Sequence, residues 1–174
     1  MIQYDIEKLY IMTPEQHYAK LFKEMYDLCD KQGWGDPFSY AVSREILIAN
    51  FLGHKKTNEY SGADGIDEDG GCEYKSTIAK TIKGTYSGIS VHPTWSEQVE
   101  YLINEKIGKY KNHYIARFDK GNIVEVYKLD GKTVLNILLS KLEKSYPTIL
   151  EKKDPRLSAS LTQKEIYKNG IKIL

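Results

Sequence analysis

Apolar residues in the first third of the chain recur at three- and four-residue spacing, with Leu21, Phe22, Met25 and Leu28 along one side of a helix. Thr13, Pro14 and Gln16 supply its start: a hydroxyl cap, a proline in the first turn and a glutamine three residues after the cap. Gly33 and Gly35 break the pattern, and a second start at Asp36 and Pro37 opens a largely apolar helix with Val42, Ile46, Leu47, Ile48, Phe51 and Leu52, ending near Gly53. The period then changes. Residues 60–79 place two short runs around Glu68, Asp69, Gly70 and Gly71, which signals a hairpin. Residues 80–95 are polar and broken by Gly84, Gly88 and Pro93, and read as a loop or irregular edge. A helix over 95–107 carries Val99, Leu102, Ile103 and Ile107 on one side. Two strands, His113 to Phe118 and Ile123 to Leu129, are joined at Asp119–Asn122, and a helix from about Thr133 to Lys144 buries Val134, Leu135, Ile137, Leu138 and Leu142. The tail, 145–174, is polar and closes on Ile171 and Ile173. This order predicts an α/β fold with a central mixed β-sheet flanked by helices.

A length of 174 residues suits one domain over 1–174, and 41% hydrophobic with 28% charged residues gives enough core to fold without a disulfide or metal staple. Lys and Arg number 25 against 24 for Asp and Glu, so only the distribution of charge bears on a nucleic-acid partner. Cys29 and Cys72 lack any CxxC setting, which excludes a cysteine-rich zinc site and a disulfide scaffold. The stretch MIQYDIEKLYIMTPEQ has no apolar run of signal-peptide length, and no segment approaches the ~18 apolar residues of a membrane span. The expectation is a cytoplasmic protein with no membrane partner.

The informative segment is ADGIDEDGGCEYKS. Glu73 and Lys75 are two apart on the second strand of the predicted hairpin, so they share a face, with Tyr74 on the other. Asp64 lies nine residues upstream, across the glycine-rich turn, where pairing brings it to Glu73. Two carboxylates and an ammonium then converge. Hard oxygen ligands suit Mg²⁺, which takes one or two protein carboxylates and a phosphate, and a lysine beside the same water orients it and steadies developing negative charge. An acid-x-Lys triplet alone says little. Asp130-Gly131-Lys132 reads as a turn and Glu151-Lys152-Lys153 as a solvated charged run, and Asp64, Glu73 and Lys75 themselves could form a structural ion network. A Ca²⁺ loop starting at Asp64 or Asp67 fails, because its twelfth position is Lys75 or Ile78 instead of Glu.

The block from Tyr60 to Trp95 resembles the core of PD-(D/E)xK type II restriction endonucleases, and more narrowly the small PvuII-like enzymes. The matching elements are Asp64, then Glu73, Lys75 and Ser76, then Lys83 and Gly84, then SGISVHPTW. In size and ending the whole chain is also similar to small Bacillus-type restriction enzymes. Ala63 stands where the family name has proline. The resemblance implies Asp64, Glu73 and the Tyr74 carbonyl as Mg²⁺ ligands and Lys75 as the water-positioning cation. Asp67 is the alternative upstream acid, with capping of the turn as its structural role, and Glu45 and Glu59 are auxiliary candidates or surface charges.

A nuclease needs a cationic groove. Lysines group at Lys75, Lys80 and Lys83, at Lys106, Lys109 and Lys111, and in the tail at Lys152, Lys153, Arg156 and Lys164. Candidate base readers are Thr85, Tyr86, Ser87, Ser90, His92, Thr94 and Trp95, with Ser158, Ser160 and Lys164 as a second group. The structural alternatives are a helix entry at His92-Pro93 with Ser96 as its cap, core packing for Trp95, and a capping loop for 158–162. Cutting both strands of a short palindrome implies a two-fold homodimer on double-stranded DNA, with a cognate DNA methyltransferase as genetic partner. The resemblance hints at a GC-rich site such as GCNGC. The rival expectations are a repair or junction-resolving nuclease of the same fold, and a non-enzymatic DNA-binding or protein-interaction module.

Overall fold

The computed structural model describes residues 12–58 and 62–174. It is an α/β fold whose mixed six-stranded sheet is flanked by helices, with a separate two-stranded ribbon on one face. Helix α1 (Pro14–Gln32) opens with the expected capping box at Thr13 and Gln16 and ends at Gly33 in the left-handed conformation. Helix α2 (Tyr40–Leu52) starts later than Asp36-Pro37 suggests, because the Asp36 carboxylate accepts the Phe38 N–H and closes a turn there.

The sheet order is β1 (Lys55–Lys56), β2 (Gly65–Asp67), β3 (Gly70–Thr77), β5 (Asn112–Asp119), β6 (Asn122–Asp130) and β8 (Ile171–Lys172). Only β3 and β5 are parallel; the other pairs are antiparallel. The predicted hairpin is present as β2 and β3, with Glu68 and Asp69 as its two-residue loop. Gly65 is required there, because the Tyr74 hydroxyl lies 2.0 Å from where a Cβ would stand.

Residues 80–95 depart from the expected loop. They contain strand β4 (Gly84–Ser90), which pairs antiparallel with β7 (Arg156–Leu161) from the tail. The register shifts between Tyr86 and Ile89, where Gly88 has φ +68°. Helix α3 (Trp95–Tyr101) is capped by Thr94 with Glu97, not by Ser96, and runs into a π-helical turn, Leu102–Lys106. Helix α4 (Gly131–Leu150) begins at an Asp130 cap and continues past Lys144 through Pro147, so Asp130-Gly131-Lys132 is a helix entry. Helix α5 (Gln163–Asn169) is capped by Thr162.

Two apolar clusters cover the two faces of the sheet. On one face Ile48 and Ala49 of α2 meet Cys72, Tyr74, Tyr114, Ala116, Phe118 and Val126. On the other, the inward side of the ribbon (Tyr86, Ile89, Leu157, Ala159, Leu161) packs with Leu138 and Leu142 of α4 and with Ile115 and Leu129. Alternation along β3 therefore sends Cys72 and Tyr74 towards α2, and Glu73 and Lys75 towards the ribbon.

Candidate active site

The β2–β3 hairpin gathers the three predicted groups. Gly65 lies opposite Cys72, and the Asp64 N–H donates to the Cys72 carbonyl at 2.9 Å, so the pairing continues to Asp64 and sets it beside Glu73. The Tyr74 N–H donates to Asp64 Oδ2 at 2.8 Å. Lys75 Nζ donates to Glu73 Oε1. Asp64, Glu73 and Lys75 all line one cleft of about 520 Å³, whose other walls include Thr85 and Ser87 of the ribbon and Lys106 and Lys109 after α3.

Electrostatics in this corner are crowded. Burial, then the charge of Glu73, pushes the Asp64 carboxyl up to about 7, although Lys75 and the Tyr74 N–H act in the opposite sense and Glu45 adds to the rise. Burial works against the Lys75 ammonium, yet Glu73, Asp64 and Glu45 around it hold its proton more tightly than usual. The site thus carries more negative charge than one lysine neutralises.

That excess fits a hard divalent cation. The groups that could hold one are two carboxylates, Asp64 and Glu73, and the Tyr74 carbonyl, the sparse protein set that Mg²⁺ accepts. The Tyr74 carbonyl is suitably directed. N–H and C=O of one strand residue point to the same side, and the Tyr74 N–H already points to Asp64. On the opposite face its side chain is fully occupied, with the hydroxyl and His54 Nδ1 2.9 Å apart.

The other acids separate cleanly. Asp67 accepts hydrogen bonds from Asn112 Nδ2 at 2.8 Å, the Tyr114 hydroxyl at 2.9 Å and the Asp69 N–H at 2.8 Å, and it does not line the cleft. It caps the turn and ties it to β5, away from the cleft. Glu45 on α2 pairs with Lys56 at 3.1 Å and acts on Asp64 through its charge. Glu59 lies outside the described residues.

The expected DNA-facing residues divide in the same way. Thr85, Ser87, Ser158 and Ser160 stand on the outward side of the ribbon, with Thr85 Oγ1 and Ser160 Oγ 2.9 Å apart. Ser87 and Ser158 are exposed, and Ser90 accepts from Arg156 Nη1 at 3.1 Å. Lys83 is exposed on a second cleft of about 510 Å³, which shares Lys75, Thr85 and Ser87 with the first. Lys164 is exposed on α5.

Two expectations, Tyr86 and His92 as base readers, fail, and the core-packing reading of Trp95 holds. Tyr86 is no base reader, because it is 5% exposed and its hydroxyl bonds His113 Nδ1 at 2.7 Å. His92 is packed against the Tyr101 ring, 4.4 Å between centroids, with its N–H and carbonyl bound by Gln98 and Tyr146. Trp95 packs edge-on against Tyr146. Of the middle lysine group, Lys106 and Lys109 line the cleft, whereas Lys111 is turned away to Asp69. The residue that sequence reasoning missed is His113, whose strand position signals burial but not a partner 27 residues away.

No family model matches the chain, and no curated protein matches it.

Proposed function

We propose that the protein is a Mg²⁺-dependent type II restriction endonuclease that hydrolyses phosphodiester bonds at a short site in double-stranded DNA. The observation that carries this reading is the meeting of Asp64, Glu73 and Lys75 in one cleft, beside an exposed hydroxyl-bearing ribbon. Mg²⁺, when bound, supplies charge withdrawal at the scissile phosphate and a more acidic water. Asp64, Glu73 and the Tyr74 carbonyl are the groups that would hold it, and Asp64 is fixed for the task by the Tyr74 N–H. Lys75 sets its ammonium where the attacking water and the developing negative charge would lie. Lys106 and Lys109 on one side and Lys83 on the other give a phosphate backbone its counter-charges. Thr85, Ser87, Ser158 and Ser160 offer donors and acceptors to base edges from a two-stranded ribbon, an element a major groove admits.

A two-fold homodimer is part of the proposal, since one such cleft cuts one strand. Helix α1 supports it: Leu21, Met25 and Leu28 are exposed on one side, and among the described residues of the helix only Cys29 is buried. No described helix is long and apolar enough to cross a membrane; we place the enzyme in the cytoplasm, paired with a DNA methyltransferase that protects its site. A GC-rich palindrome such as GCNGC is the target the resemblance favours.

Incubation of the purified protein with plasmid DNA and Mg²⁺ is the test. Discrete fragments that vanish in EDTA are expected. Structure-dependent nicks would move the reading to a junction-resolving or repair nuclease, and binding without cleavage would leave a DNA-binding module.

A further inference from the structure

Lys75 has two anchors of different chemistry. One is Glu73, which donates nothing and holds the ammonium by charge. The other is the face of Tyr86, whose ring centroid lies 5.2 Å from Lys75 Nζ. Tyr86 is itself fixed. Its hydroxyl bonds His113 Nδ1 at 2.7 Å, and His113 Nε2 lies 3.0 Å from the Ile107 carbonyl. A carbonyl only accepts, so Nε2 carries the hydrogen and Nδ1 accepts from the Tyr86 hydroxyl. His113 is fully buried, which favours its neutral form and keeps that tautomer in place. A chain of defined contacts therefore runs from the end of the π-helical turn, through β5, to the underside of Lys75 in the cleft.

The two anchors would not behave alike during the reaction. In the nuclease reading Glu73 is a cation ligand, and a carboxylate engaged by Mg²⁺ loosens its hold on a neighbouring ammonium. An aromatic face carries no formal charge, binds no Mg²⁺ and keeps its attraction for the ammonium. A lysine has four rotatable bonds, and its side chain here is 23% exposed, so something other than Glu73 must restrict it when the cation arrives.

Resting on that reading, we propose that Tyr86 is the positioning residue for Lys75, through the face of its ring. Tyr86 lies in the wall of the cleft beneath Lys75, and it would act by keeping the ammonium over its ring while Glu73 is engaged by a bound cation.

The test has a spectroscopic and a kinetic arm. Lys75 Hε protons above an aromatic face resonate upfield of ordinary lysines. In a ¹H–¹³C spectrum, with Lys75→Arg to assign the signal, the wild-type protein is expected to show this upfield position with and without Mg²⁺. Tyr86→Phe keeps it, and Tyr86→Leu returns it to the ordinary lysine position. An unshifted wild-type signal, or one lost on adding Mg²⁺, overturns the proposal even if Tyr86→Leu fails to fold. In single-turnover cleavage, folded Tyr86→Leu is expected to be about 10²-fold slower, with DNA affinity in Ca²⁺ within about twofold of wild type, since a misplaced group costs rate while binding is kept. Tyr86→Phe is expected to lose only about threefold, as the ring remains. A wild-type rate in Tyr86→Leu overturns the proposal. An upfield Lys75 signal in a protein that cuts no DNA would sink the nuclease reading and leave the positioning contact standing.

Discussion

One short hairpin carries acids at both ends, and the two ends are opposites in electrostatic terms. At the open end Asp64 meets Glu73, another acid, and burial with that charge pushes its carboxyl up to about 7. At the turn, burial acts on Asp67 in the same direction, but Asn112, the Asp69 N–H and Tyr114 outweigh it and hold the carboxyl below the usual range. Asp69 is held low by Lys111 and Asn112, and Glu68 by Lys128. The turn acids are satisfied by neutral donors and lysines. The open-end acids are left short of positive charge, a deficit that the proposed divalent cation would make good.

The largest effect expected from this contrast is on cleavage. Lys75→Ala and Asp64→Asn should each lower the single-turnover rate by at least about 10³-fold, the upper range for removing one group that stabilises transition-state charge. DNA affinity in Ca²⁺ should survive in Lys75→Ala. Near-wild-type cutting by either variant would erase the distinction between the two ends.

Asp67→Ala should do the reverse. It leaves the Tyr114 hydroxyl without its acceptor and Asn112 Nδ2 with Asp69 alone, at a cost of about 1–3 kcal/mol by urea unfolding. The folded fraction should cut DNA at the wild-type rate. A large loss in rate at full folding would return Asp67 to the list of candidate catalytic acids.

The sequence alone could not make this separation. Asp64 and Asp67 both precede the turn, and the groups that tell them apart, Asn112 and Tyr114, come from β5, 45 and 47 residues after Asp67. What periodicity did reveal was local. Glu73 and Lys75 share a face because they are two apart on a strand, and the loop at Glu68-Asp69 is flagged by its composition. The ribbon was hidden for the same physical reason as the role of Asp67. Gly84, Gly88 and the Ser158-Ala159-Ser160 stretch of β7 carry little β-propensity, and β4 and β7 become strands by pairing across some 70 residues. Tyr86 looked like a polar loop residue until that pairing turned it inward onto His113.

A smaller and pH-dependent effect follows from Asp64. A carboxyl whose folded value is raised favours the protonated native state, so its contribution to stability is present in acid and is lost as pH rises through about 7. Asparagine keeps the acceptor for the Tyr74 N–H and removes the charge. Asp64→Asn in EDTA should therefore melt several degrees above wild type at pH 8, with the gap narrowed at pH 5 and closed only near the ordinary aspartate value of about 4. Saturating Mg²⁺ should close the gap at pH 8 from the other side, by raising the wild type alone. Equal melting temperatures at both pH values would show that the open end is not short of positive charge.

The smallest effect belongs to Lys111, and it sharpens the contrast by being close to nothing. Sequence grouping puts Lys111 with Lys106 and Lys109, yet it faces Asp69 at the turn with its side chain 65% exposed. Exposed pairs of this kind are screened and contribute little, so Lys111→Ala should leave the melting temperature unchanged within error. It should also leave the salt dependence of DNA binding untouched, whereas Lys109→Ala should lower the slope of log affinity against log salt by about one, the signature of a lost phosphate contact. Two lysines two residues apart would then differ in that slope for a geometric reason: one closes a turn and the other borders the cleft. Equal slopes for the two variants would mean that DNA passes over the turn as well, and that the open end is not the only part of the hairpin it meets.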